Sequence, residues 1–436
     1  MLDLSLNPSQ EMRFLNLRPS EFGHTRLLRK MALLAIAIAC SSAASAKIVF
    51  VNGAKTTSGD GTSWIQSYQY LRDALTNSRI NDEIWVAKGT YFPDDTAGID
   101  KEVIFGDREV SFEINGQKVY GGFVGTEATL AERNGELNPT ILTGEIWPGQ
   151  SVYSTFHVAL VKADSTLDSL TIQNGYANGS LSWVQPIAPV FDRGGGCYVS
   201  AGKVLTLQSC TFKGNRSVET GAAIMIEGGG SDSTGKVVAT KCTFDQNSIT
   251  PAPLGPKKCE GAAIFGNVTA VDSKFSANLI TNGTEANGGA IAGDVNATNC
   301  VFTDNKVTAN LGTSPRASGG AISGDITGKN CTFTGNSSSA RIAPDITGAA
   351  YGGAVRGAIN AANFVFSANT GAGGNIDVAA GTGVGAGGGG ALYTEEGVSS
   401  LVNCVFVKNT SGIRGGAIVG GPNSGASSLL IADCTF

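Results

Sequence analysis

One paired motif, repeated along the second half of the chain, limits what this sequence can fold into. A Phe-x-x-Asn unit recurs at Phe212/Asn215, Phe244/Asn247, Phe275/Asn278, Phe302/Asn305, Phe333/Asn336, Phe366/Asn369 and Phe406/Asn409. Successive spacings are 32, 31, 27, 31, 33 and 40 residues. A small-residue motif precedes each copy: Gly221-Ala222-Ala223-Ile224, Gly261-Ala262-Ala263-Ile264, Gly288-Gly289-Ala290-Ile291, Gly319-Gly320-Ala321-Ile322, Gly352-Gly353-Ala354-Val355, Gly389-Gly390-Ala391-Leu392 and Gly415-Gly416-Ala417-Ile418. Gly195-Gly196-Cys197 is a degenerate first copy. In four consecutive units the third residue of the small motif lies 12 residues before the Phe. Length variation therefore falls after the Asn, where loops absorb insertions.

Such units are not helical. They are rich in Gly and β-branched residues, with short alternations such as Val204-Leu205-Thr206-Leu207. A repeat of about 30 residues with two or three short strands fits one coil of a parallel β-solenoid. Coils stack about 4.8 Å apart, so equivalent side chains form ladders. The spacing predicts an interior stack of Phe rings. It also predicts an Asn ladder at a bend, each amide bonding to the next. The Gly-Gly pair supplies a permissive bend and Ala fits a tight interior.

Cysteine follows the same period. Cys210, Cys242, Cys300, Cys331, Cys404 and Cys434 each lie two residues before a repeat Phe, while Ser273 and Phe364 replace Cys in two units. Residues i and i+2 of a strand share a face, so these thiols point inward with the Phe. They read as small buried hydrophobes in a ladder, because a disulfide framework does not tolerate scattered replacement. Disulfides between some neighbours stay open, above all at the off-pattern Cys197 and Cys259. No CxxC pair suggests a metal site.

Composition narrows the function classes. With 436 residues the chain exceeds one compact core, whereas a repeat array accommodates that length. Its 60 glycines do not fall at every third position, which excludes collagen. A net charge of −5 argues against a nucleic-acid partner. Two histidines, His24 and His157, argue against a His-rich metal or catalytic centre.

Residues 1–46 read as a leader and signal peptide. Arg26, Arg29 and Lys30 precede the apolar run Met31–Ala39, and Ala44-Ser45-Ala46 is a small-residue cleavage site. Ala37-Ile38-Ala39-Cys40 partly resembles a lipoprotein cleavage box, with Ala where Leu is usual, so lipidation at Cys40 stays open. No later apolar run reaches the length of a membrane-spanning helix. Residues 47–150 read as an N-terminal cap and first irregular coils. Strands are expected over 47–51, 82–87, 111–114, 118–123 and 140–142, and an amphipathic helix over 64–75 that covers the open solenoid end. Further early strands are expected over 155–161 and 169–172. Residues 151–436 read as the β-helix proper, stopping at Phe436 before the Asn of that repeat, which predicts a cap or more coils beyond.

The N-terminal segments Val51-Asn52-Gly53, Asp60-Gly61-Thr62-Ser63-Trp64, Leu71-Arg72-Asp73-Ala74-Leu75 and Asp82–Tyr91 resemble exported bacterial right-handed parallel β-helix proteins. Tyr120–Glu127 and Asn138–Ile146 fit the same group. The Gly-Gly-Ala-Ile and Phe-x-x-Asn units are similar to the repeats of chlamydial polymorphic outer membrane proteins. The resemblance covers about residues 48–436. It implies an all-β, right-handed parallel β-helix, secreted or on the outer membrane surface of a bacterium. For the chlamydial group it further implies an autotransporter passenger acting in adhesion, although the membrane barrel of those proteins has no counterpart in this sequence.

The leading expectation is therefore a surface or secreted protein that binds an extracellular polysaccharide or a cell-surface protein. A polysaccharide lyase or glycoside hydrolase is the alternative, and a structural surface-layer component a third. Enzymes of this fold need clustered carboxylates on an exterior sheet. Asp94, Asp95 and Asp100 share one loop that could take calcium, but read more simply as a solvated loop. Asp294 and Asp325, at one offset after the small motif, read as turn residues, as does Glu395-Glu396. His157 reads as a satisfied strand histidine. Gly385–Gly390 lacks the Lys-Ser/Thr of a phosphate loop. No catalytic residue and no resident cofactor or metal is assigned.

Overall fold

In the computed structural model the described residues are 46–95, 108–146, 153–179, 189–229, 234–251, 258–341, 348–373, 387–394, 398–412, 414–420 and 428–436. Residues 1–45, expected to hold the leader and Cys40, lie outside them, as do Asp100 and Glu395-Glu396. From Lys47 onward the chain forms one compact unit. It is a parallel β-helix, in the right-handed sense that nearly all parallel crossovers adopt.

Among the described residues, strands stack into sheets of twelve, ten, ten, eight and four. A coil around Phe244 shows the path. Ile224–Ile226 leads to Lys236–Thr240 in the twelve-stranded sheet, then to Thr243–Asp245, Ser248–Ile249 and Lys258–Glu260. The next coil begins at Ile264–Phe265. A regular coil thus carries four strands and, in the middle of the helix, a fifth, rather than the expected two or three. The additional strands are short, with at most two buried apolar residues each, such as Ile249 in Ser248–Ile249 and Val307 and Ala309 in Lys306–Ala309, too few to mark them in the sequence.

Register repeats without slippage through the Phe ladder: Phe212 pairs with Phe244, then Phe275, Phe302, Phe333, Phe366 and Phe406. Ring centroids of successive members lie 4.6–5.2 Å apart and the planes differ by 2–14°. Stacking at this separation adds roughly 0.5–1.5 kcal/mol per pair to the area buried. Ile224, Ile264, Ile291 and Ile322 form a second buried row on the facing sheet.

The two glycines of the small motif answer different demands. Gly319 holds a left-handed φ of +58°, which a Cβ disfavours. Gly320 has no such φ; a Cβ there would run into the Gly353 carbonyl oxygen and the Ser337 backbone. Coil-to-coil approach, rather than torsion, excludes a side chain at the second position.

The ladder cysteines are buried apart from the half-buried Cys434, but their setting differs from the expected strand position. Each occupies the corner between two sheets, just after a residue of positive φ such as Ser209, Lys241, Asn299, Asn330 or Asn403. All eight described cysteines are free thiols, including Cys197 and Cys259.

The N-terminal helix is shorter than expected. Helix α1 spans Leu71–Thr76 and buries Leu71, Ala74 and Leu75. Residues 64–70 are not helical because they are drawn into other contacts. Tyr68 bridges to Val51 along the outer edge of the Ile48–Val51 strand, its N–H donating to the Phe50 carbonyl at 2.9 Å. Trp64 packs edge-on against Phe50 at 4.8 Å and donates its indole N–H to the Glu127 carbonyl. The edge strand is thus covered by this extended loop, and the helix fills the core beside it.

Candidate binding surface

An interior scaffold positions the surface. From Asn215 to Asn369 each ladder Asn uses its full hydrogen-bonding capacity. Its Nδ2 donates to the Oδ1 of the Asn in the next coil at 2.9–3.1 Å. Its second amide hydrogen goes to a carbonyl of the preceding coil, as from Asn278 to Phe244 and from Asn305 to Phe275. From Asn247 to Asn409 each Oδ1 also accepts the backbone N–H of the Asn before it at 3.0–3.2 Å, and Asn215 Oδ1 accepts from the Gly175 N–H at 3.1 Å.

Besides the expected bond from each amide to the next, the row carries a second set of side-chain bonds, which extends to its later members Asn336, Asn369 and Asn409. Asn336 Nδ2 also donates to the Phe302 carbonyl, Asn369 to Phe333 and Asn409 to Phe366, each at 2.9 Å. A planar amide carries two donor hydrogens, so one can reach up the ladder and the other down. Asn336 and Asn369 are fully buried, like the members before them. Asn409 is half-buried, while its Oδ1 still accepts from Asn369. Buried amides so satisfied rigidify the corner.

A second Asn ladder lies outside, one residue before the corner cysteine position. Asn299 Nδ2 donates to Asp272 Oδ1 at 2.9 Å, Asn330 to Asn299 at 3.0 Å, Asn363 to Asn330 at 2.9 Å and Asn403 to Asn363 at 2.8 Å. All five residues are exposed. Their φ values run from +51° to +59°, a region that Asn and Asp tolerate better than other side-chain-bearing residues. The reading from residues misses this row. Its signal is the Asn directly before Cys300, Cys331, Phe364 and Cys404.

Neutral polar groups flank it. On the twelve-stranded sheet Asn296, Thr327 and Asn360 face outward, and Ser400 donates to Asn360 at 3.0 Å. On the eight-stranded sheet Thr250 pairs with Thr281 at 3.2 Å and Thr370 with Thr410 at 3.1 Å. The result is a long wall of amides and hydroxyls repeating at the coil spacing of about 4.8 Å, interrupted by the exposed Lys329 and Val402.

The acidic positions do not converge. Asp325 N–H donates to Asp294 Oδ1 at 3.1 Å, and Ala358 N–H to Asp325 Oδ1 at 2.8 Å. The stacked like charges are thus each spent on a backbone donor at a turn. Asp94 and Asp95 sit in the turn after Tyr91. Among the described residues no group of three or more His, Cys, Asp or Glu is placed to hold a metal ion. No described helix is long and apolar enough to cross a membrane.

His157 and Arg108 belong to the irregular first coils. His157 Nδ1 donates to the Gly194 carbonyl at 2.9 Å, while its Nε2 is buried with no hydrogen-bond partner. Burial pushes its pKa down to about 4, against the opposing pull of that carbonyl. It is therefore only half satisfied, and it packs between Phe191 and Tyr198. Arg108 donates to the Ser154 and Tyr176 carbonyls and to Asn178 Oδ1, over the Phe156 ring at 4.3 Å. Burial brings its pKa down to about 10. These contacts tie three separate segments together, which is a structural use of the guanidinium.

Comparison with known proteins gives little beyond this. No family model matches the sequence, and no curated protein matches it. Among solved structures, pectate lyase Pel9A aligns with 88% of this chain and 81% of its own, at 12% identity and a TM-score of 0.41. The parallel β-helix is defined by the strand pairing itself.

Proposed function

We propose that this chain is a secreted or cell-surface binding scaffold that holds an extended extracellular polysaccharide along its outer polar wall. The observation that carries the reading is the exposed, hydrogen-bonded row Asp272, Asn299, Asn330, Asn363 and Asn403. Amide and hydroxyl groups at a fixed repeat suit a polymer of hydroxyl-bearing units, and the rigid corner beneath them lowers the ordering cost of binding. The leader-like residues 1–46 and the similarity of the repeats to polymorphic outer membrane proteins support placement outside the cell.

The test is affinity electrophoresis of the folded full chain through gels containing neutral or acidic polysaccharides, with product formation followed in parallel with calcium or chelator. Retarded mobility without product supports the scaffold, and Asn330→Gly with Asn363→Gly is expected to weaken the retardation at least several-fold. Unsaturated or reducing-end product would replace the scaffold with a lyase or hydrolase. Unretarded migration throughout the panel would remove polysaccharide as the ligand.

A further inference from the structure

The corner ladder reads, in coil order, Leu170, Cys210, Cys242, Ser273, Cys300, Cys331, Phe364, Cys404, Cys434. Replacement is therefore not scattered. Every cysteine has a cysteine on one adjoining coil and a non-cysteine on the other, apart from Cys434, whose one partner in this row is Cys404. Ser273 and Phe364 fall between doublets and interrupt none.

Geometry within each doublet is that of direct neighbours. Thr211 pairs in register with Thr243, Val301 with Thr332, and Val405 bridges to Thr435. The cysteines one residue earlier are thus side by side, at an inter-strand Cα separation of about 4.8 Å, within the usual disulfide range. The Cys300 N–H donates to Cys331 Sγ at 3.4 Å, and the Cys404 N–H to Cys434 Sγ at 3.3 Å. In both, the second sulfur is turned toward the coil that carries its neighbour.

We propose that these doublets are disulfide sites, closing as Cys210–Cys242, Cys300–Cys331 and Cys404–Cys434 when the chain folds in an oxidising compartment. The oxidant is a low-molecular-weight disulfide. One cysteine thiolate attacks it, forming a mixed disulfide and releasing one thiol. The second cysteine then attacks the protein-side sulfur, forming the S–S bond and releasing the other thiol. Two protein thiols are oxidised, one small disulfide is reduced to two thiols, and both protons pass to the products. Cys210, Cys242, Cys300, Cys331 and Cys404 are buried in the finished helix, out of reach of a dissolved disulfide, so closure belongs to the folding chain, before coils seal the corner. Cys197 and Cys259 stand in other rows, each without a stacked cysteine, and stay reduced.

The test refolds the reduced full chain in glutathione buffer with and without glutathione disulfide, isolates the folded fraction, alkylates free thiols and maps linked peptides. The expected result is three linkages within doublets, with Cys197 and Cys259 alkylated. In the oxidised sample the variant Cys300→Ser should leave Cys331 alkylated and the other two linkages unchanged. Linkages across Ser273 or Phe364, such as Cys242–Cys300, would overturn the assignment. So would full alkylation of all eight described cysteines in a folded, oxidised sample. Should the single variant fail to fold, the double variant Cys300→Ser/Cys331→Ser must lose one linkage only.

Discussion

Asn247 Oδ1 accepts two hydrogen bonds from Asn215 at once, from the backbone N–H and from the side-chain Nδ2, both at 3.1 Å. The same double acceptance recurs up the helix as far as Asn369 and Asn409, so each coil reads its neighbour through backbone and side chain together.

Replacing Asn278 with Asp keeps the acceptor and removes both side-chain donors. The carboxylate would face Asn305 Oδ1 and the Phe244 carbonyl, two acceptors that now bond to the amide. Unmet buried polar groups and charge make this costly, about 3 kcal/mol or more. Guanidinium unfolding followed by circular dichroism should show a clearly lowered midpoint; an unchanged midpoint would refute the ladder's energetic role.

Phe302 sits between Phe275 and Phe333, at 4.8 and 4.6 Å. Phe302→Ala is expected to cost about 3–5 kcal/mol, and Phe302→Leu well under half of that. Equal losses from the two variants would mean that stacking, not volume, dominates.

Gly320→Ala is expected to destabilise more than Ala321→Gly, although alanine is normally the gentler residue. A Cβ at 320 meets backbone of the adjoining coil on two sides, and overpacking of this kind costs about 1–3 kcal/mol. Thermal unfolding of the two variants decides the order.

His157 makes stability depend on acid. Its folded pKa is depressed to about 4, against about 6.5 in an unfolded chain. Between those values the unfolded state binds more protons, so stability falls as pH drops from about 6.5 to 4 and is fully kept above that window. The loss approaches about 3 kcal/mol. Unfolding at pH 7 and pH 4.5 should show this slope, and His157→Gln should flatten it; a variant with the wild-type slope would assign the acid sensitivity to other groups.

Asn330 is the contrasting case. Its amide is exposed and its φ is +57°, a conformation glycine adopts freely. Asn330→Gly should change stability by less than about 0.5 kcal/mol, so any binding change it causes cannot be blamed on misfolding. A large drop in midpoint would show that the outer row is structural.

The rows legible in the sequence are those in which one residue type does one job. Phe and inner Asn recur because a buried ring and a buried amide admit few substitutes. The outer row begins Ser169, Ser209, Lys241, Asp272 before settling into Asn, because solvent and a left-handed turn accept several residues. Trp64 and Tyr68 mislead for a different reason. Their spacing from Leu71 imitates a helix face, but tertiary contacts with Phe50 and Val51 override it. The outer row does leave a periodic trace, the Asn directly before Cys300, Cys331, Phe364 and Cys404, but apolar alternation does not reveal it.

The ladder also has a mechanical meaning. Hydrogen bonds between successive coils run along the solenoid axis, so a pull along that axis loads the inter-coil seams in series, each bearing the whole force, rather than in parallel. Such a rod yields by shedding coils singly, each releasing about 30 residues of slack. If the proposed disulfides close, each would lock one seam against that peeling, leaving the intervening coils at Ser273 and Phe364 as the places where the rod first lengthens under load.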